Sequence, residues 1–148
     1  MKHKHIYLRI FLVLLILVLG FNLYYYFRLN RYNGVTMIAI TGSAYPEGVS
    51  VVLTNQTDND VESGNPNILR LQRRILGIWF PVWRDYTLGQ TGEAFGYTAK
   101  DSHEIDLGWK YTYGAKLPGN YRVIKEYWVR YAPGDRDKFL LSAEFSIR

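Results

Sequence analysis

The N-terminal part of the chain is a continuous apolar run, whereas the remainder alternates between apolar and polar residues. From Ile10 to Phe27 the one strongly polar residue is Asn22. At about 1.5 Å per residue, a helix over this run reaches about 27 Å, close to the thickness of a bilayer's hydrocarbon core. The pattern predicts a transmembrane helix at residues 10–27. A buried core helix fits poorly because the run has no polar face.

The charges around this run predict its orientation. Basic residues stand on both sides of it: Lys2, Lys4, Arg9, Arg28 and Arg31. The larger number precedes the run, and tyrosines at residues 24–26 mark its C-terminal boundary. We therefore expect a single-pass signal anchor in the plasma membrane, with residues 1–9 as a cytoplasmic basic tail and the C-terminal domain extracytoplasmic. A cleaved signal peptide, with Val18-Leu19-Gly20 at the cleavage site, is the alternative.

After a linker at residues 28–33, period-two alternation predicts an all-β domain over residues 34–148. The predicted strands are 35–41, 48–55, 68–75, 78–82, 94–99, 103–107, 121–131 and 138–147. Residues 57–67 are predicted as a polar loop, and Pro81 predicts that its strand lies at a sheet edge or ends early. About seven short strands separated by turn residues favour an antiparallel β-sandwich.

Charge and composition narrow the classes of function. The five basic residues before Asn33 account for the whole net charge of +5, so the domain itself is formally neutral. A neutral domain does not attract polyphosphate, and we expect no nucleic-acid partner. The chain has no cysteine, which excludes disulfides, thiolate catalysis and a lipid-modified cysteine anchor.

One stretch near the C-terminus carries a family resemblance. Leu117, Gly119 and Tyr121 have the spacing of a tyrosine corner, in which a hydroxyl bonds back to the preceding backbone. The stretch resembles the bacterial immunoglobulin-like domains of extracytoplasmic proteins, found mainly in Gram-positive organisms. The matching residues are Trp109, Tyr113, Gly114, Leu117, Gly119, Tyr121, Arg122 and Lys125. The resemblance implies an immunoglobulin-like fold that serves as a binding or spacer module, without catalytic residues.

The residues that could carry catalysis or bind metal have simpler interpretations. His103 is the only histidine after the N-terminal tail, so a two-histidine metal site is excluded. Acidic residues cluster in two places: Asp58, Asp60 and Glu62, and Asp101, Glu104 and Asp106. The first cluster lacks the spacing of a calcium loop, and the second is typical of a solvated strand or loop. We expect no enzyme activity, no cofactor, no metal and no small-molecule substrate.

A basic and aromatic patch is the strongest candidate binding surface. It comprises Arg70, Arg73, Arg74, Trp79, Trp83 and Arg84. The alternative is one solvated face of a hairpin, with Trp79 or Trp83 in the core. The sequence thus predicts a membrane-anchored, non-catalytic module, held in the membrane by residues 10–27, that binds another envelope protein. A wall or glycan binder is the alternative, and it requires a row of exposed tryptophans.

Overall fold

The structure is a computed structural model that describes residues 2–84, 94–132 and 135–148. It begins with helix α1, Lys2–Arg28. Residues His5–Arg28 form the one described helix that is long and apolar enough to cross a membrane. The helix extends beyond both ends of the predicted span at 10–27.

Nine strands and one short helix follow in the described part of the chain. They are β1 Val35–Ala39, β2 Gly48–Asn55, β3 Val61–Gly64, β4 Arg70–Ile75, β5 Ile78–Pro81, β6 Ala94–Tyr97, β7 Asp101–Gly108, α2 Lys110–Tyr113, β8 Gly119–Ala132 and β9 Asp135–Ile147. All pairings between strands are antiparallel. The fold is a β-sandwich preceded by an N-terminal apolar helix, which confirms the predicted fold class.

The two sheets differ in size. The smaller has the order β1-β2-β7, and the larger has the order β5-β4-β8-β3-β6, with β9 paired to β8. Strand β8 is long enough to pair with β4 through residues 121–124 and with β3 through residues 127–129, while β9 covers its other edge. Strand β5 therefore forms an outer edge of the larger sheet, as Pro81 predicted.

The core lies between the two sheets and is rich in aromatic side chains. Trp109, Tyr121 and Tyr127 are fully buried there, together with aliphatic residues from β2, β4, β7 and β9. Trp109 and Tyr121 both stack on Phe145, with ring centroids 5.5 and 6.0 Å apart. Large buried rings stabilise a domain that has no disulfide, since each buries 150 to 250 Å² by rough estimate.

Each of the predicted strands has a counterpart in the structure, whereas β3 was not predicted. Strand β2 has the predicted bounds, and the hairpin β4–β5 turns at Leu76-Gly77 as expected. Strand β3 lies inside the segment predicted as a polar loop. It is a strand because Val61 and Ser63 face the core, while Glu62 and Gly64 alternate with them on the other face.

Candidate functional site

The outer face of the larger sheet carries polar and aromatic side chains where strands β4, β5 and β8 lie side by side. Directly opposed residues share a face, and the register pairs Arg70 with Ile124, Gln72 with Arg122, and Arg74 with Trp79. The C-terminal part of α1 packs on this face. We call this contact between helix and sheet the joint; on the helix side it is formed by Asn22, Tyr25, Leu29 and Asn30.

Asn22 holds the helix to the edge of the sheet. Its side-chain Nδ2 donates to the Trp79 carbonyl oxygen at 3.1 Å, and the Trp79 amide donates to its Oδ1 at 3.0 Å. Nδ2 also donates to the Val18 carbonyl one helical turn earlier, at 2.9 Å. Because β5 is an edge strand, these bonds satisfy backbone groups that no neighbouring strand can reach.

Tyr25 lies one turn further along, above the middle of the same face. Its hydroxyl accepts a hydrogen bond from Arg70 Nη1 at 3.2 Å, and this bond raises the pKa of the Arg70 guanidinium. Its ring packs with Leu29, Ile124 and Leu140 in a small apolar cluster separate from the main core. The helix therefore buries apolar surface against the sheet in addition to its hydrogen bonds.

Arg122 fills the space between these two contacts. Its guanidinium lies 4.5 Å from the centroid of the Trp79 ring and 5.8 Å from that of Tyr25, and its Nε donates to Gln72 Oε1 at 2.6 Å. Burial lowers the pKa of Arg122 below its usual value. A desolvated cation between two aromatic faces is stabilised by cation–π attraction.

The end of the joint reaches strand β9. Leu29 forms a parallel bridge with Leu140, and the Asn30 amide donates to the Leu140 carbonyl at 2.8 Å. The Asn30 side chain accepts from the Ser142 amide at 2.8 Å and donates to Ser142 Oγ at 3.1 Å. The first residues of the predicted linker are thus bound to the sheet.

The structure divides the predicted basic and aromatic patch. Arg70, Arg74 and Trp79 belong to the joint, and Trp79 is buried there rather than in the main core. Arg73 faces the opposite side of β4, where its Nη2 donates to the Pro118 carbonyl at 3.1 Å and its guanidinium lies over the Tyr121 ring. Trp83 is 87% exposed, whereas Arg84 is half-buried.

The residues of the predicted structural signature support the sandwich itself. The Tyr121 hydroxyl donates to the Leu117 carbonyl at 2.8 Å, which is the hydrogen bond that the tyrosine-corner prediction describes. Trp109 Nε1 donates to the Pro46 carbonyl at 2.9 Å. Lys125 is buried, and its amine donates to the carbonyl oxygens of Gly64 and Asn65 at 3.0 and 2.7 Å. These residues fix loops at the ends of strands.

The acidic residues have separate partners. Asp58 pairs with Lys100 at 3.0 Å, Asp60 accepts from the Ala99 amide at 2.9 Å, and Asp106 accepts from Ser50 at 2.6 Å. His103 lies on strand β7, within the predicted strand 103–107, and its ring meets that of Tyr97 edge-on. Among the residues that the structure describes, no group of three or more His, Asp or Glu side chains could hold a metal ion.

Comparison with known proteins gives no further assignment. No protein-family model matches the chain, and neither a curated protein nor a solved structure is significantly similar to it. The helix, the joint and the surfaces of the sandwich are therefore the features that bear on function.

Proposed function

We propose that this protein is a membrane-anchored, non-catalytic module that holds an extracytoplasmic immunoglobulin-like domain against the membrane and binds another envelope protein. The observation that carries the proposal is the joint. A helix of transmembrane length continues into hydrogen bonds with two edge strands through Asn22 and Asn30, so the domain has one fixed orientation relative to its anchor.

The contacts of the joint support a membrane span that ends before Asn22. Asn22 contacts the polar backbone of Trp79, and Tyr25 contacts the side chains of Arg70 and Arg122, groups that do not belong in hydrocarbon. The lipid-facing part of α1 is then Ile6 to Phe21, about 24 Å long. Arg9 lies near the cytoplasmic end of this span, where its long side chain can extend to the headgroups.

The smaller sheet is the surface best suited to a protein partner. Its register places Ile38, Val52 and Glu104 side by side on its outer face, with Ser50 and Asp106 in the next row. Ile38 is 66% exposed. An apolar centre with a polar border is typical of protein interfaces, and this face lies on the layer opposite α1.

The alternative glycan binder requires a row of exposed tryptophans, which favours the protein partner. Trp79 and Trp109 are buried, Trp128 is half-buried with its Nε1 donating to Glu62 at 2.8 Å, and only Trp83 is largely exposed. A single exposed indole does not form the extended platform on which sugar rings stack.

Single cysteines in this cysteine-free chain test the anchor. With the full chain in a bacterial host, a membrane-impermeant maleimide should label Ser102→Cys in intact cells, and label His3→Cys only after lysis. The protein should remain in the membrane after carbonate extraction and keep its full length. Labelling of His3→Cys in intact cells would contradict the orientation, and a shortened chain in the soluble fraction would favour the cleaved signal peptide.

A second experiment tests the partner. A photo-cross-linking amino acid at Ile38 should give one discrete heavier product in intact cells, whereas the same group at Glu126, which is exposed on the other layer, should not. Equal products from both positions, or none from Ile38, would contradict a protein partner at the smaller sheet.

A further inference from the structure

The tip of the β4–β5 hairpin carries a residue, Leu76, whose type is unfavourable in the backbone conformation that it adopts. The two-residue turn Leu76-Gly77 follows the pair Ile75 and Ile78, and both turn residues have positive φ, 49° and 83°. This is the geometry of a type I′ turn, in which Asn, Asp or Gly is favoured at the first position. A leucine there is strained, and its side chain is 97% exposed. Neither the backbone conformation nor packing in the core therefore explains a leucine at this position.

The path of α1 places this tip beside the membrane-facing part of the helix. Leu29 lies at the edge of β9, Tyr25 lies over Arg70 and Arg122 in the middle of the sheet, and Asn22 lies at the edge of β5. The helix therefore crosses the sheet towards β5, and its residues before Asn22 leave the sheet there. Trp79, which Asn22 holds, is three residues from Leu76.

The membrane-facing part of α1 is so short that the surface of the bilayer comes close to the hairpin tip. The segment Ile6 to Phe21 covers about 24 Å, less than the roughly 30 Å of a typical hydrocarbon core. A short span is accommodated when the bilayer thins and when flanking residues enter its interface. Asn22 follows Phe21 in the helix, and its hydrogen bonds to Trp79 hold the end of the β4–β5 hairpin next to this end of the span.

The charge beside the tip suits this environment. Arg74 is exposed, and its guanidinium lies 5.6 Å from the centroid of the Trp79 ring. Arg73 and Arg74 directly precede Ile75 and Leu76. An arginine can reach lipid phosphates while an adjacent leucine enters the acyl region, which is the arrangement found in interfacial segments.

We propose that the β4–β5 hairpin tip inserts into the interface of the leaflet through which α1 leaves the membrane, with Leu76 at the boundary of the acyl chains and Arg74 at the phosphates. The inference rests on the proposed transmembrane span of α1. The helix and the hairpin then form two points of membrane contact, which fix the domain against rotation.

Depth-dependent quenching tests this contact in the full chain. Single cysteines replace Leu76 at the tip, Val13 in the span and Ile38 on the opposite layer, and each is labelled with a polarity-sensitive fluorophore. The proteins are reconstituted in vesicles of phosphatidylcholine and phosphatidylglycerol that contain a lipid spin-labelled either near the headgroup or deep in the acyl chain. Ile75→Cys serves as a second reporter at the tip if Leu76→Cys does not fold.

The labels at Leu76, Val13 and Ile38 distinguish the possible outcomes from one another. We expect the label at Leu76 to be blue-shifted and quenched by the shallow spin label, the label at Val13 to be quenched by the deep one, and the label at Ile38 to be unaffected. Quenching at Val13 without quenching at Leu76 would overturn the hairpin contact and leave the span intact. No quenching at Val13 would overturn the span and, with it, the inference.

Discussion

The side-chain amide of Asn22 bonds to both backbone groups of Trp79, a residue 57 positions later in the chain. An asparagine within an apolar helix is costly in lipid unless its amide has partners. Here the partners belong to the edge strand of a folded domain, so one side chain satisfies the helix and the sheet at once. The apolar helix and the domain are therefore coupled by specific hydrogen bonds.

Replacement of Asn22 by leucine should weaken the joint. The substitution keeps an apolar helix but leaves the Trp79 amide and carbonyl without these bonds, which should reduce the free energy of unfolding by about 2 kcal/mol. Denaturant unfolding in detergent micelles measures the change, and hydrogen exchange at the Trp79 amide should accelerate. Leu23→Ala, at an exposed neighbouring position, is the control; equal losses in the two variants would contradict the role of Asn22.

Two adjacent tyrosines offer a matched comparison. Tyr25 is 6% exposed against the sheet, whereas Tyr26 is 69% exposed. Tyr25→Ala should lower the free energy of unfolding by about 3 kcal/mol because it removes a buried ring and the partner of Arg70. Tyr26→Ala should change it by less than about 0.5 kcal/mol. Similar effects, measured in the same micelles, would show that the helix does not pack on the sheet.

Leu76→Asn should make the isolated fold more stable. Asparagine tolerates the positive φ at this position, and no buried contact is lost, so the free energy of unfolding should rise by about 1 kcal/mol in detergent. Leu117→Asn, at another exposed leucine, should give no such gain because Leu117 does not have a positive φ. A lower midpoint of unfolding for Leu76→Asn would mean that the leucine stabilises the domain itself.

The buried Lys125 should make stability depend on pH. Burial lowers its pKa from 10.5 to about 8. Between these two values the unfolded chain holds a proton that the folded protein has released, so stability rises as pH increases through this window. The contribution is complete above pH 10.5, where it approaches about 3 kcal/mol, and is lost as pH falls below 8.

Lys125→Met isolates this dependence because the variant lacks the titrating amine. In denaturant titrations, the stability of the wild type relative to the variant should increase from about pH 7.5 to about pH 9.5, a range that includes the folded pKa. Above pH 10 the raised pKa values of Tyr97 and Tyr127 destabilise both proteins alike. A constant difference across this window would show that Lys125 does not change its protonation on folding.

The tyrosine corner should contribute a modest and separable amount. Tyr121→Phe keeps the ring but removes the hydroxyl that donates to Leu117, which should cost about 1 kcal/mol of unfolding free energy. Tyr111→Phe, at an exposed ring, should be neutral. Thermal unfolding followed by circular dichroism distinguishes the two, and an unchanged midpoint for Tyr121→Phe would contradict a stabilising corner.

The strands were predictable where many residues alternate, and the joint was not. Strands β8 and β9 follow directly from long alternation, since one face of each is buried in the core. Strand β3 escaped detection because Val61 is its only large apolar residue. Asn22 was conspicuous in the apolar run, but its partner Trp79 could not be predicted because no local pattern encodes a contact across 57 residues.

The burial of Trp79 could likewise not be predicted from the sequence. The sequence placed it in an exposed patch or in the main core, and it lies in neither, because α1 forms a third layer over part of the larger sheet. A segment that reads as membrane anchor alone also acts as a packing element of the domain. Sequence periodicity cannot distinguish the two uses of an all-apolar helix.

Because α1 runs without interruption from its apolar part into the joint, the domain turns with the helix. One residue inserted between Phe27 and Asn30 would leave the bonds of Asn22 intact and displace those of Asn30, whereas one inserted before Val18 would rotate the whole sandwich by about 100° relative to the N-terminal end of α1. If α1 crosses a bilayer as proposed, a bilayer of different thickness would likewise change the tilt of the helix and the direction in which the smaller sheet faces. A change in the helix is in this way transmitted to the orientation of the whole domain.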